Sequence, residues 1–271
     1  MKFIGIVREP NFSFKVDNLE TYIYWSLITL AAVFVGMGKG GLPVIATLGV
    51  PSLSLIMSPI TAAGLLLPVY IVSDIFALSA YRRDFSWPVL RIGILGMTLG
   101  VIIGGLTATF VIEWVVTLLI GLMGFLFALD QLIRKKQSQS KKAAQIKSTK
   151  GYFWCTIAGF TSFISHTGGP PWQIFTIPLG LAKSVFVGTS VIVFSYCNLI
   201  KLIPYIWLGQ IDTSSIKISL IMIIPATIAV YIGVKLVKLI PEDTFFKIVT
   251  WALFCISIKL IWDGIKIPLG V

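Results

Sequence analysis

Charge is scarce in this chain: only 12% of its 271 residues are Asp, Glu, Lys or Arg, about half the share found in soluble domains. That deficit, together with 56% apolar residues and a mean hydropathy of +0.94, excludes a soluble globular enzyme. Histidine occurs once, at His166, so the two-histidine motif of a zinc protease cannot be assembled. Cysteine occurs three times, at Cys155, Cys197 and Cys255, always within apolar segments and without paired spacing. Neither a disulfide framework nor a metal site is expected, and the cysteines read as small packing residues. Acids are few, and no ring of them lies in the apolar spans, which argues against a cation channel. Intramembrane aspartyl chemistry needs two deep aspartates, and only Asp74 qualifies. Ser165 and His166 are adjacent and would point to different faces of a helix, so a serine hydrolase is disfavoured too. An intramembrane enzyme is the alternative to a carrier, and no catalytic residue, metal or cofactor is assigned.

What the chain has is long apolar runs. Stretches such as 22–36, 60–73, 92–112 and 114–129 carry few or no charges, as helices crossing about 30 Å of hydrocarbon require. They do not alternate as the strands of a membrane barrel would. The fold class expected is an all-α polytopic membrane protein. The net charge of +11 is concentrated: residues 134–150, "RKKQSQSKKAAQIKSTK", hold seven of the 22 basic residues and no acid. Such a run marks a loop beside anionic lipid and not a nucleic-acid stripe. Residues 1–18 lack the apolar core of a removable signal peptide.

The chain reads as a duplication. "VGMGKGGLPV" near position 40 matches "SHTGGPPWQ" near 168, and "AAGLLLPVYIVSD" at 62–74 matches "FVGTSVIVFSYCN" at 186–198, placing Gly64 on Gly188 and Asp74 on Asn198. The divisions are an N-terminal extension 1–19, a first membrane repeat 20–133, a basic linker 134–151 and a second repeat 152–266. Each repeat is expected to hold a Gly-Pro-broken helical hairpin (22–36 and 42–57; 152–165 and 171–181) followed by three transmembrane helices. Those are 59–80, 87–109 and 112–133, then 184–208, 214–237 and 243–265. An odd number of crossings per repeat inverts the second. The basic residues agree: 82–91, 134–150 and 235–247 fall on one side and hold 13 of the 22, so the 134–150 loop is expected to be cytoplasmic. Both termini would then face outward.

Inverted repeats with interrupted helices are the architecture of secondary transporters, in which the breaks meet near the midplane. Pro43 and Pro171 suit the first turn of a following helix. The amides of Gly40, Gly41 and Leu42, and of Gly168 and Gly169, are then expected to be free at two facing helix N-termini, an anion site. Deep charged residues point the same way. Lys39 lies in the first break and His166 in the second. The expected substrate-binding set is Gly38, Lys39, Gly40, Gly41, Pro43, His166, Thr167, Gly168, Gly169, Pro171 and Gln173. Asp74, Asn198, Thr189 and Ser190 are assigned a coupling or helix-contact role, and Lys201 is expected to extend its amine to the headgroups.

The paired glycine-rich breaks followed by proline, and the "VGTSVIVF" run after the second, resemble the sulfite exporter TauE/SafE family, also called the toluene-sulfonate uptake permease family, over about 20–265. The resemblance implies a multi-pass inner-membrane carrier of sulfite, sulfonates or related organic anions, driven by an ion gradient. Its glycine motifs fall on Gly38, Gly40, Gly41, Gly168 and Gly169; Lys39 and the Ser165–Thr167 stretch depart from an all-glycine run. The partners implied are a small anionic substrate, the lipid bilayer and a coupling proton or sodium ion, with a homodimer as the assembly considered and no nucleic acid. Short carboxylates are the alternative cargo.

Overall fold

The computed structural model describes residues 18–42, 45–53, 55–57, 59–108, 110, 112–135, 146–211 and 213–269. Pro43, residues 1–17 of the N-terminal extension and residues 136–145 of the basic linker lie outside the described residues.

Ten helices and two 3-10 turns account for the described secondary structure. They are α1 (Asn18–Lys39), a 3-10 turn (Ile45–Leu48), α2 (Gly49–Leu53), α3 (Pro59–Tyr81), α4 (Trp87–Thr107) and α5 (Glu113–Lys135). The order continues with α6 (Ser148–Ser165), α7 (Gly169–Thr176), a 3-10 turn (Ile177–Leu179), α8 (Lys183–Trp207), α9 (Thr213–Leu239) and α10 (Glu242–Leu269). Seven of the helices, α1, α3, α4, α5, α8, α9 and α10, are long and apolar enough to cross a membrane. The chain is a polytopic helical membrane protein. Prolines open α4 and α7, where a missing amide costs nothing. Pro68, Pro204 and Pro225 sit inside α3, α8 and α9, which buried neighbours allow in membrane helices.

Polarity is distributed inside out. Leu99, Leu106, Ile203, Trp207, Leu220 and Ile224 are exposed, while Lys39, Asp74, His166, Gln173, Asn198 and Lys201 are buried. An apolar exterior of this extent suits hydrocarbon as solvent. Cys155 and Cys197 pack inside, whereas Cys255 is exposed on α10, where it fills no gap.

Small residues set the helix contacts, because without a Cβ two backbones can approach closely. Gly96, Gly100 and Gly104 of α4 meet Cys155, Thr156 and Phe163 of α6, so these helices run parallel. Gly36 of α1 and Gly40, just past its end, meet Ala226 and Gly233 of α9, again in parallel. Two other pairs run antiparallel. Gly121 and Gly124 of α5 face Ile261 and Ser257 of α10. Gly64, early in α3, abuts the Gln210 carbonyl after α8, and Gly188, early in α8, abuts the Asp84 carbonyl after α3.

Candidate functional site

The two glycine breaks end α1 and α6 inside the bundle. In α1 the helix runs to Lys39, and its last carbonyls collect the next amides: Gly40 N donates to Gly36 O (2.8 Å), Gly41 N to Gly38 O (3.3 Å) and Leu42 N to Met37 O (3.3 Å). Gly41 closes the helix at φ +118°, a conformation that disfavours any side chain. The first break therefore does not present the free amides expected of it, because the end of α1 consumes them. In α6 the equivalent closing residue is His166, at φ +55°. Its amide returns to Ser162 O (3.1 Å) and that of Thr167 to Thr161 O (3.3 Å). Gly168 then caps α7 without a side-chain hydrogen bond; Pro170 and Pro171 carry no amide hydrogen and Trp172 N donates to Gly168 O (3.2 Å), so Gly169 supplies the one amide of the first turn that has no intrahelical acceptor. Among the described residues, the two breaks therefore do not form two facing sets of free helix amides.

Between the breaks lies a cavity of about 40 Å³. Gly38, Lys39 and Gly41 wall it from the first break, Ser162, His166 and Gly169 from the second, Tyr70 from α3, and Ser190, Val191, Phe194 and Asn198 from α8. Gly40 and Gly168 are not in the wall; they are spent on close packing against Gly233 and against the Ala158 carbonyl. Thr167, Pro171, Gln173, Asp74 and Thr189 also stand outside the lining.

Three charged side chains are buried around this cavity. Lys39 Nζ lies 2.6 Å from Asp74 Oδ1, both side chains being 6% exposed, and 5.2 Å from the Tyr70 ring centroid, a cation over an aromatic face. Asn198 Nδ2 donates to the other oxygen of Asp74 at 2.8 Å. The charge of Lys39 is thus matched within the protein. Lys201 is fully buried, so it does not extend to the headgroups: α8 turns it toward α6, where its Nζ meets Ser162 O (3.0 Å), Ser162 Oγ (3.2 Å) and His166 Nδ1 (2.9 Å). Three acceptors match the three N–H donors of an ammonium. No carboxylate pairs with it among the described residues.

The same contacts define His166. Lysine cannot accept, so Nδ1 must, and the ring proton sits on Nε2, which donates to Ala63 O at 3.1 Å. Both ring nitrogens are occupied, and the ring stacks on Tyr70 at 4.5 Å and 20°. His166 offers the cavity its face while orienting Lys201.

Further polar groups tie the elements together. Tyr81 OH donates to Gly40 O at 2.8 Å and Tyr205 OH to Phe163 O at 2.6 Å, holding the ends of α1 and α6 on α3 and α8. Trp172 Nε1 donates to Ser190 Oγ (2.7 Å), and Ser86 N donates to Thr189 Oγ1 (2.9 Å). Thr167 Oγ1 is 2.9 Å from Ser165 Oγ. Gln173 is fully buried with neither amide atom hydrogen-bonded. Ser162 and Tyr70 were missed by sequence reasoning, and Lys201 was assigned to the headgroups and not to the site. A signal existed for Lys201: it stands three residues after Asn198 on one helix face.

A model of the family described as Sulfite exporter TauE/SafE matches residues 26–260, most of the chain. No curated protein and no solved structure gave a significant match.

Proposed function

The chain belongs to the sulfite exporter TauE/SafE family, and from that premise we propose that this membrane transporter carries a compact sulfur oxyanion, sulfite first among them, through the cavity between its two broken helices. The observation that carries the reading is the sign of the buried charge. Among the described residues two buried lysines, Lys39 and Lys201, stand against one buried aspartate, Asp74, which leaves one positive charge beside a cavity inside the membrane bundle. An unpaired buried cation is costly, and a singly charged anion in the cavity offsets it. The Gly169 amide at the start of α7, in the cavity wall, adds a donor to the same ligand.

Size narrows the cargo. About 40 Å³ is room for roughly three waters, which suits a sulfur atom with its oxygens better than a long-chain sulfonate. We read the two halves, 20–133 and 152–266, as inverted copies; the antiparallel pairing of α3 with α8 and of α5 with α10 supports this. On that reading the end carrying Arg82, Arg83 and Lys150 faces the cytoplasm, and the membrane is the inner one. Asp74, Asn198, Thr189 and Ser190 each bond to another segment, which favours helix contact over ion coupling for all four.

The test is equilibrium binding of radiolabelled sulfite to the purified protein, with sulfate, sulfoacetate and acetate as competitors. Sulfite is expected to bind, and Lys201→Met to weaken it at least tenfold in a protein that still melts cooperatively. Equal competition by acetate, or parental affinity in Lys201→Met, would refute the reading.

A further inference from the structure

A second cavity lies far from the charged cluster, between the N-terminal half of α6 and the end of α7. It measures about 410 Å³, within the range of ligand pockets and about tenfold larger than the anion cavity. Lys147, Lys150 and Trp154 line it from one side of the second glycine break in sequence and Ile174, Phe175 and Leu179 from the other. Lys150 and Trp154 fall one helical turn apart on one face of α6, and Lys147 is the residue that precedes its first turn. Both lysines are exposed, and neither pairs with a carboxylate among the described residues. Phe175 and Leu179 are buried at 6% and 7% exposure, so the pocket is cationic at its mouth and apolar at depth.

Its height in the bundle follows from helix directions. Gly96 of α4 faces Cys155 of α6 and Gly104 faces Phe163, so the N-termini of α4 and α6 lie side by side. Gly188 of α8 abuts the Asp84 carbonyl, and Lys183 Nζ donates to Val237 O (2.7 Å) and Ile240 O (2.6 Å) at the end of α9. One end of the bundle thus gathers Arg82, Arg83, Arg91, Lys147, Lys150 and Lys183. At this level an apolar span gives way to charge, which is where lipid headgroups lie.

We propose that this pocket binds an anionic phospholipid, its phosphodiester between Lys147 and Lys150 and its glycerol and upper acyl carbons against Trp154, Phe175 and Leu179. Two unpaired cations at the mouth complement a headgroup of negative charge, and basic pockets between membrane helices take such headgroups. The uncapped first turn of α6 (Lys147 forms no side-chain cap) adds backbone donors toward the same phosphate. A free inorganic anion would leave the apolar depth unused, whereas a lipid fills both parts. The site is independent of the transported anion.

The experiment titrates the purified full chain in detergent with dioleoylphosphatidylglycerol, dioleoylphosphatidylcholine or inorganic phosphate and follows thermal unfolding, since a ligand stabilises only a fold that binds it. Phosphatidylglycerol is expected to raise Tm, and Lys147→Gln/Lys150→Gln to raise the half-saturating lipid concentration at least tenfold. Arg82→Gln/Arg83→Gln, which removes the same charge from the same end but outside the pocket, is expected to respond as the parent does. The proposal is overturned if the lysine variant responds like the parent or if the arginine variant loses as much. Equal stabilisation by phosphatidylcholine, or by inorganic phosphate, overturns it as well.

Discussion

The ion pair between Lys39 and Asp74 gives a set of substitutions whose effects differ in sign. At 2.6 Å and an effective dielectric of about 20, the Coulomb attraction is about 6 kcal/mol, much of which desolvation takes back. Removing one partner leaves the other charge buried, at a cost of about 3–5 kcal/mol, while removing both is close to neutral. Lys39→Met and Asp74→Asn are therefore each expected to lower stability by that amount. Lys39→Met/Asp74→Asn should fall within about 1 kcal/mol of the parent, because an amide at position 74 still accepts from Asn198. Anion affinity should follow another order. Lys39→Met leaves Lys201 against Asp74 and no net charge; Asp74→Asn leaves two positive charges; the double variant keeps one, as the parent does. One unit charge at about 6 Å and a dielectric of about 20 is worth about 3 kcal/mol, roughly a hundredfold in affinity. Lys39→Met should thus weaken sulfite binding about a hundredfold, Asp74→Asn should tighten it, and the double variant should match the parent. Binding isotherms beside thermal unfolding of the same preparations make the comparison. If Lys39→Met and Asp74→Asn shift affinity in the same direction, net charge does not control the site.

Three further outcomes are expected. Gly64→Ala and Gly188→Ala each drive a methyl group into a backbone carbonyl, that of Gln210 or of Asp84, and should each cost about 1–3 kcal/mol, read as a fall in Tm; an unchanged Tm would mean the helix ends are not seated as described. Lys201→Met strips the donor from Ser162 and His166 and should cost about 1–3 kcal/mol besides its effect on binding, measured by the same melts; parental stability would mean these contacts do not hold Lys201. Cysteines introduced singly at Arg83 and Gln210 should be labelled by an impermeant maleimide from opposite faces of sealed vesicles, and labelling from one face would refute the opposed directions of α3 and α8.

Much of the architecture was legible because hydrocarbon imposes length on every crossing. Helix ends at Tyr81, Trp87, Lys183 and Trp207 follow from where apolar runs meet Arg82, Gly180 and Gly209. The alignment of Asp74 with Asn198 put polar groups at matching depths, and the two are hydrogen-bonded. That Lys39 would be the third member was not legible, since its distance from Asp74 in sequence says nothing about the angle at which α1 meets α3. Lys201 was misread because distance to a helix end is a one-dimensional measure, and its burial depends on α6 supplying Ser162 and His166. The role of the first break was also hidden. Whether a glycine amide faces a ligand or returns to its own helix depends on one left-handed residue, Gly41, and a Gly-Gly-x-Pro string is compatible with both.

The tyrosines that tie α1 and α6 to their neighbours are themselves 124 residues apart, the same interval that separates Asp74 from Asn198. Because α3 and α8 run antiparallel, Tyr81 and Tyr205 sit toward opposite ends of the molecule. Each holds a chain end, and on the proposed reading that end shifts when a cargo passes on its side. A single hydrogen bond contributes about 0.5–1.5 kcal/mol net, so on that reading losing the bond to Gly40 O or to Phe163 O is expected to multiply the opening frequency on its side by roughly two to twelve. On the proposed reading, turnover and cargo preference belong to different residues: the lysines govern what is held, and two phenol groups how long, and toward which side, it stays.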